Sequence, residues 1–145
     1  MDLFAPDFSP DGRWLAFQAA PSDFSDAGMQ LFVAPLNGRL PIEPARWITI
    51  TSLGHYIDAG AKWSRDGRML YFTSDRDGST CLWAVRLDAA TKKPLGEPFA
   101  VRHFHASPRQ YSDAVYPIFS LGPDRIVISL EQVQSDLWMM QLPGQ

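Results

Sequence analysis

The chain has 145 residues, of which 46% are hydrophobic and 20% charged, with a net charge of −3. This length suits one ordinary domain, which buries roughly 70% of its unfolded surface, and the composition is typical of a globular protein. A nucleic-acid-binding surface needs clustered Lys and Arg, whereas the 13 basic residues here are scattered. No apolar run approaches the roughly 20 residues of a membrane-spanning helix. We therefore expect neither a nucleic-acid partner nor membrane insertion.

One phrase recurs along the chain. Residues 8–17 read Phe-Ser-Pro-Asp-Gly-Arg-Trp-Leu-Ala-Phe, residues 63–72 read Trp-Ser-Arg-Asp-Gly-Arg-Met-Leu-Tyr-Phe, and a degenerate copy occupies residues 119–128. The copies begin 55 and 56 residues apart. The Asp-Gly pair predicts a tight hairpin, because Asp bonds its own backbone and Gly adopts a positive φ. A long period with several short strands per unit is typical of propeller blades.

Each repeat is interpreted as a unit of four strands, a to d. Unit one covers about 1–52, unit two about 53–107 and unit three about 108–145. The predicted strands of the first two units are 5–9, 13–19, 29–36 and 46–51, and then 61–64, 68–74, 81–87 and 98–104. Unit three supplies 115–120, 125–130 and 136–142 but has no strand d of its own.

The predicted b and c strands are apolar on both faces. In unit two, Leu70 and Phe72 oppose Met69 and Tyr71 along strand b. Such strands are covered on both sides, as in a propeller, where each blade lies between two neighbours. An immunoglobulin-like sandwich would alternate apolar and polar residues instead. The predicted fold is therefore an all-β propeller without long helices.

These phrases resemble the PD40 (WD40-like) repeats of TolB-type propellers, as do the c strands Leu-Phe-Val-Ala-Pro-Leu and Leu-Trp-Ala-Val-Arg-Leu. The resemblance covers nearly the whole chain. The chain is also similar to the carboxy-terminal propellers of large bacterial multidomain proteins. The resemblance implies a six-bladed ring used mainly for protein–protein contact, and a periplasmic location, although no secretory signal is visible at the N-terminus. The partner-binding N-terminal segment of TolB has no counterpart here, so Tol–Pal function is not implied.

Three blades do not close a ring, and the end blades would expose more apolar surface than a monomer tolerates. We therefore expect a homodimer in which two chains pair head-to-tail about a two-fold axis and complete six blades. The alternative is that the chain is excised from a longer propeller.

The loops that lead into each strand a contain a second internal match, since Tyr-Ile-Asp-Ala at 56–59 aligns with Tyr-Ser-Asp-Ala at 111–114. Propeller geometry gathers these loops near the axis. Asp2, Asp58 and Asp113 are therefore candidates for an acidic ring that holds a cation or a basic peptide. The alternative is that each Asp bonds local backbone N–H groups.

The leading functional prediction is a non-enzymatic module that binds a protein or peptide on one rim. Exposed Tyr, His and Arg are residue types that anchor interfaces. The predicted rim residues, with the axial Asp2, are Phe24, His55, Tyr56, Asp58, Arg76, Arg109, Tyr111 and Asp113. The alternatives are a small-ligand or cation sensor that uses the axial channel, and the substrate-gating propeller of a prolyl-oligopeptidase-type hydrolase.

Neither a metal nor a cofactor is predicted. Asp75-Arg76-Asp77-Gly78 lacks the third oxygen ligand and terminal Glu of a calcium loop and is interpreted as a hairpin turn. His103 and His105 lie on one side of a strand at a spacing that can bind zinc, but no third Cys, Asp or His is near them in sequence. Cys81 is interpreted as a small core residue. No Gly-x-Ser-x-Gly elbow or phosphate-binding loop is present.

Overall fold

The structure is a computed structural model that describes residues 1–22, 28–38, 41–52, 54–105, 109–111, 119–132, 134 and 136–140. These residues form two four-stranded antiparallel sheets whose strands pair in sequence order. The first sheet contains β1 (Asp2–Phe8), β2 (Trp14–Ala20), β3 (Gln30–Pro35) and β4 (Ile48–Thr49). The second contains β5 (Ala59–Trp63), β6 (Met69–Ser74), β7 (Cys81–Arg86) and β8 (Phe99–Arg102). The all-β prediction is confirmed, and each sheet is the four-stranded meander that the repeats predict.

The repeated phrase forms the same hairpin in both sheets. Phe8 pairs with Leu15 in the first sheet, and Trp63 pairs with Leu70 in the second. The turn glycines Gly12 and Gly67 have φ angles of 65° and 64°, in the left-handed region that a side chain disfavours. The predicted role of the Asp-Gly pair is confirmed.

A bulge also recurs, in the first strand of each sheet. The register of β1 shifts between Phe4 and Asp7, and that of β5 shifts between Ala59 and Lys62. The residue inside each bulge has a positive φ, which is 46° at Ala5 and, 55 positions later, 65° at Gly60. The sequence does not predict this bulge, because the first copy has Ala5 at the position where the second copy has Gly60.

The two sheets pack face to face. Leu70, Phe72 and Val85 of the second sheet share a buried cluster with Leu31 and Val33 of the first. The opposite face of the second sheet forms another cluster, in which Cys81, Leu82 and the half-buried Tyr71 and Trp83 contact Phe104, Phe119, Leu121, Ile126, Ile128 and Leu130. The second sheet is therefore covered on both sides, as its two-sided apolar strands predict.

The third unit differs from its prediction. Its described strands are β9 (Gln110–Tyr111), β10 (Phe119–Leu121), β11 (Ile126–Ile128) and β12 (Leu130–Glu131), which pair as β10–β11 and β9–β12. Residues 136–140, predicted as strand c, are not in a strand, and the side chains from Leu137 to Met140 are 87–95% exposed. Among the described residues, the second sheet covers this unit on one side, and Val127 on β11 is exposed. Less burial is then available to offset the entropy of ordering another strand.

The helical structure of the described residues is a single 3-10 turn at Pro44–Arg46, just before β4. Within the same residues, no helix has the length and apolar character needed to cross a membrane.

Candidate functional site

Residues 54–58, which lead into β5, form the rim loop. Its backbone is fixed by hydrogen bonds: the Met29 N–H donates to the Tyr56 carbonyl at 2.9 Å, and the Asp58 N–H donates to the Met29 carbonyl at 3.2 Å. The Ile57 N–H donates to the carboxylate of Asp75 at 2.8 Å. The side chains of Tyr56 and Ile57 nonetheless remain 42% and 49% exposed. The loop thus presents apolar side chains on an ordered backbone.

A buried ion pair lies beneath this loop. One guanidinium nitrogen of Arg76 donates to both carboxylate oxygens of Asp58, at 2.7 and 2.9 Å, and Asp58 is 1% exposed. A buried carboxylate is stable only when it is paired and hydrogen-bonded. Asp58 is therefore not an open carboxylate for a ligand, which differs from its expected place in an axial cation site. Arg76 serves as its counter-ion.

Arg76 also stacks on aromatic rings. Its guanidinium carbon lies 5.6 Å from the ring centre of Tyr56, 5.5 Å from that of Phe72 and 5.1 Å from that of Trp83. The planar guanidinium is suited to such contacts. The ion pair and the stacking together join the rim loop to the second sheet.

The other predicted site residues are placed unevenly. Asp2 begins β1 and is half-buried, and its carboxylate accepts a hydrogen bond from the Ser22 hydroxyl at 3.4 Å. His55 and Arg109 are exposed. Tyr111 belongs to β9, where its backbone pairs with Leu130. Phe24 and Asp113 lie outside the described residues. Of the nine predicted site residues, the structure brings Tyr56, Asp58 and Arg76 into one cluster.

A second polar cluster lies at one end of the second sheet. Asp77 comes from the β6–β7 turn, Cys81 begins β7, and His103 and His105 follow β8. Each offers one potential ligand atom, and these atoms all lie within 4.8 Å of one another. The turn itself is the predicted hairpin, closed by a bond from the Gly78 N–H to the Asp75 carbonyl.

One oxygen of Asp77 holds this cluster together. Its Oδ2 lies 2.7 Å from Nδ1 of His103 and 2.9 Å from Nε2 of His105. Burial raises the pKa of the Asp77 carboxyl, but the hydrogen bonds and charges of His105 and His103 together outweigh it and lower the pKa. Burial raises the pKa of the Cys81 thiol, and Asp77 adds to that rise.

Sequence reasoning missed Asp77 and Cys81 because they lie more than 20 residues before the two histidines. Strand pairing supplies the missing signal: Leu82 is opposite Arg102, which puts Cys81 next to His103. An alignment of the two outer strands of unit two would have found the pair.

A groove runs between the second sheet and the β10–β11 pair. Its volume is about 790 Å³, and its lining mixes the charged Arg65, Asp66, Asp124 and Arg125 with the apolar Met69, Tyr71, Leu121 and Ile126. This size is within the usual range for ligand pockets.

No family model and no curated protein sequence matches this chain. Solved structures do match. A serine-to-alanine mutant of puromycin hydrolase complexed with PGG superposes with a TM-score of 0.63 at 21% identity, covering 88% of this chain and 18% of that one. A second puromycin hydrolase structure gives a TM-score of 0.53 at 24% identity, covering 76% and 15%. This chain thus spans less than a fifth of either, and the likeness supports a β-propeller-like fold.

Proposed function

We propose that this chain is a non-catalytic, β-propeller-like module that binds a protein or peptide at the rim loop. The observation that carries the proposal is the combination of exposed Tyr56 and Ile57 with a backbone fixed by Met29 and Asp75. Aromatic and arginine side chains dominate the energy of binding surfaces. A loop that is ordered before binding loses little entropy when a partner docks.

The buried Asp58–Arg76 ion pair helps to position the rim loop for this role. Because Arg76 contacts both Asp58 and the ring of Tyr56, it holds the aromatic side chain in one position. The Tyr56 ring, next to the exposed Ile57, can then anchor a partner in the way that hot-spot residues anchor known interfaces.

The test is selection of a random-peptide phage library on the immobilised chain. Enriched peptides are expected to bind the Tyr56→Ala variant at least about tenfold more weakly than wild type, which is about 1.4 kcal/mol. The matched control is Leu95→Ala, which removes an even more exposed apolar side chain from the loop between β7 and β8. Enriched peptides that bind both variants as tightly as wild type, or the absence of any enriched peptide, would refute the proposal.

The finer architecture is part of the same proposal. Each chain contributes three blades, and a second copy completes a six-bladed ring head-to-tail. Two apolar surfaces that the described residues leave uncovered support this. One is a groove of about 340 Å³ on the far face of the first sheet, lined by Leu3, Phe4, Pro6, Leu15, Phe17, Ala34, Pro41, Ile42 and Trp47. The other is the exposed run from Leu137 to Met140. Contiguous apolar surface of this kind marks interaction sites.

A second candidate is the propeller portion of a hydrolase. The similarity to the two puromycin hydrolase structures favours it, although each covers this chain with less than a fifth of its own length. Sequencing the natural gene tests this candidate. A reading frame that continues into a hydrolase domain would favour it, and a frame confined to propeller repeats would argue against it.

A further inference from the structure

The cluster of Asp77, Cys81, His103 and His105 has features that its hydrogen bonds alone leave unexplained. The second carboxylate oxygen of Asp77, Oδ1, is buried and has no hydrogen-bond partner within the described part of the chain. A buried acceptor without a partner is destabilising, because it loses its hydration and gains no hydrogen bond in return. The thiol of Cys81 points into the same space, where its sulfur accepts the Phe104 N–H at 3.3 Å. Four potential ligand groups therefore lie within 4.8 Å of one another, next to a buried carboxylate oxygen without a partner.

We propose that these four side chains form a Zn²⁺ site. Imidazole nitrogen, thiolate sulfur and carboxylate oxygen are the ligands of zinc in proteins. One carboxylate, one thiolate and two neutral imidazoles would neutralise the charge of the ion. Arg76, next to Asp77 in sequence, is already paired with Asp58.

The spacing of the ligand atoms fits a tetrahedral ion after a small rearrangement, in which the two His–Asp contacts lengthen and any wider spacing shortens. Bond lengths of roughly 2.0–2.1 Å to nitrogen and 2.3 Å to sulfur place neighbouring ligand atoms roughly 3.3–3.8 Å apart. Here these atoms lie within 4.8 Å of one another, and the two His–Asp contacts are 2.7 and 2.9 Å. Zinc binding would displace the imidazole protons that join Asp77 to the histidines. Side-chain rotation on the exposed histidines supplies the adjustment.

The donor set also selects among metals. Calcium and magnesium prefer oxygen ligands, whereas sulfur and imidazole ligands favour zinc. Four protein ligands leave no open coordination position, which is the pattern of a structural site rather than a catalytic one. Such a site would tie the β6–β7 turn, the start of β7 and the segment after β8 together, at the edge where the second sheet meets the third unit.

The experiment uses the purified full chain after treatment with a chelator. Elemental analysis after zinc is restored is expected to find about one zinc per chain, and Co²⁺ is expected to give both the absorption of a tetrahedral site and a thiolate-to-metal charge-transfer band. His103→Gln and His105→Gln are each expected to weaken zinc binding at least about tenfold. His55→Gln, at the third histidine of the chain, is the control and should leave zinc affinity unchanged.

Cys81 is buried, so Cys81→Ser is assessed by circular dichroism before metal is added. A folded Cys81→Ser protein should lose the charge-transfer band while the His55→Gln protein keeps it. If the cysteine variant does not fold, the His103→Gln and His105→Gln variants still decide the test, because both histidines are partly exposed. Absence of stoichiometric zinc, cobalt spectra without thiolate character, or equal zinc affinity in His103→Gln, His105→Gln and wild type would each overturn the proposal.

Discussion

The backbone N–H of Trp63 in the second sheet donates a hydrogen bond to the carboxylate of Asp7 in the first, with 3.2 Å between the two atoms. The indole N–H of Trp63 also donates to the Asp7 carbonyl at 3.1 Å, and Lys62 forms an ion pair with the same carboxylate. Adjacent sheets are thus joined by polar contacts as well as by their apolar faces. This contact links the first strand of one sheet to the first strand of the next.

Asp7→Ala is expected to lower the free energy of unfolding by about 1–3 kcal/mol, because it leaves the partly buried Trp63 N–H without its acceptor. Lys62→Met keeps that hydrogen bond and removes only a half-exposed ion pair, so a loss below about 1 kcal/mol is expected. Urea denaturation measures both. Equal losses in the two variants would show that the backbone bond between the sheets contributes nothing.

Ala5→Gly is expected to stabilise the protein slightly. Ala5 has a φ of 46° in a bulge where the second sheet has Gly60. A left-handed conformation costs an alanine about 1–2 kcal/mol, and the greater unfolded entropy of glycine offsets about 0.5–1 kcal/mol of the relief. Thermal denaturation should therefore show a higher midpoint for Ala5→Gly and a lower midpoint for Gly60→Ala, the reverse substitution at the equivalent position of the second sheet. A lower midpoint for Ala5→Gly would contradict this account of the bulge.

Asp58→Ala is expected to destabilise the protein by about 3 kcal/mol or more, because it leaves the guanidinium of Arg76 without its counter-ion in a largely buried place. The double variant Asp58→Ala with Arg76→Met removes both charges and should lose less than the sum of the single variants. Chemical denaturation of the four proteins completes the cycle. Strict additivity would mean that the pair is not coupled.

The repeated turns predict a loss of stability in acid. Each turn Ser hydroxyl donates to its Asp at 2.6 Å (Ser9 to Asp11, Ser64 to Asp66), and the N–H groups of Arg13 and Arg68 also donate. These bonds lower the pKa of Asp11 and of Asp66. A carboxyl whose folded pKa is depressed contributes stability above its unfolded pKa of roughly 3.9, and loses it as pH falls through the folded value.

Asp66→Asn removes this titration from one turn. Unfolding measured from pH 6 down to about pH 2 should therefore depend less on pH than in wild type. Glu97→Gln, at an exposed carboxylate away from both turns, serves as the control and should retain the wild-type profile. The same acid dependence in Asp66→Asn and wild type would contradict the role assigned to the turn carboxylate.

The local repeats made most of the two complete sheets predictable. Gly67 predicts the hairpin turn, because its neighbours in the turn are adjacent in sequence. Leu70 and Phe72 predict the coverage of both faces, because the same apolar pattern recurs in each repeat. The third unit was mispredicted at residues 136–140, because its apolar pattern is that of a strand, whereas the side chains from Leu137 to Met140 are left exposed by the described residues.

The candidate sites were less predictable because they depend on distant pairing. The ion pair between Asp58 and Arg76 joins residues that were both expected on an open rim, and the sequence does not say that one neutralises the other. Likewise, Asp77 and His103 are 26 residues apart, and only the strand register brings them into contact.

The central claim is that these sheets stack face to face around a common centre, with a second copy covering the apolar surfaces left open by one. Sedimentation velocity over a range of concentrations tests it directly. The account predicts a particle of twice the 16.3 kDa chain mass, and a shift to the single-chain mass in Trp138→Asp with the strand content of the circular dichroism spectrum retained. A folded wild-type particle of 16.3 kDa at every concentration would contradict it.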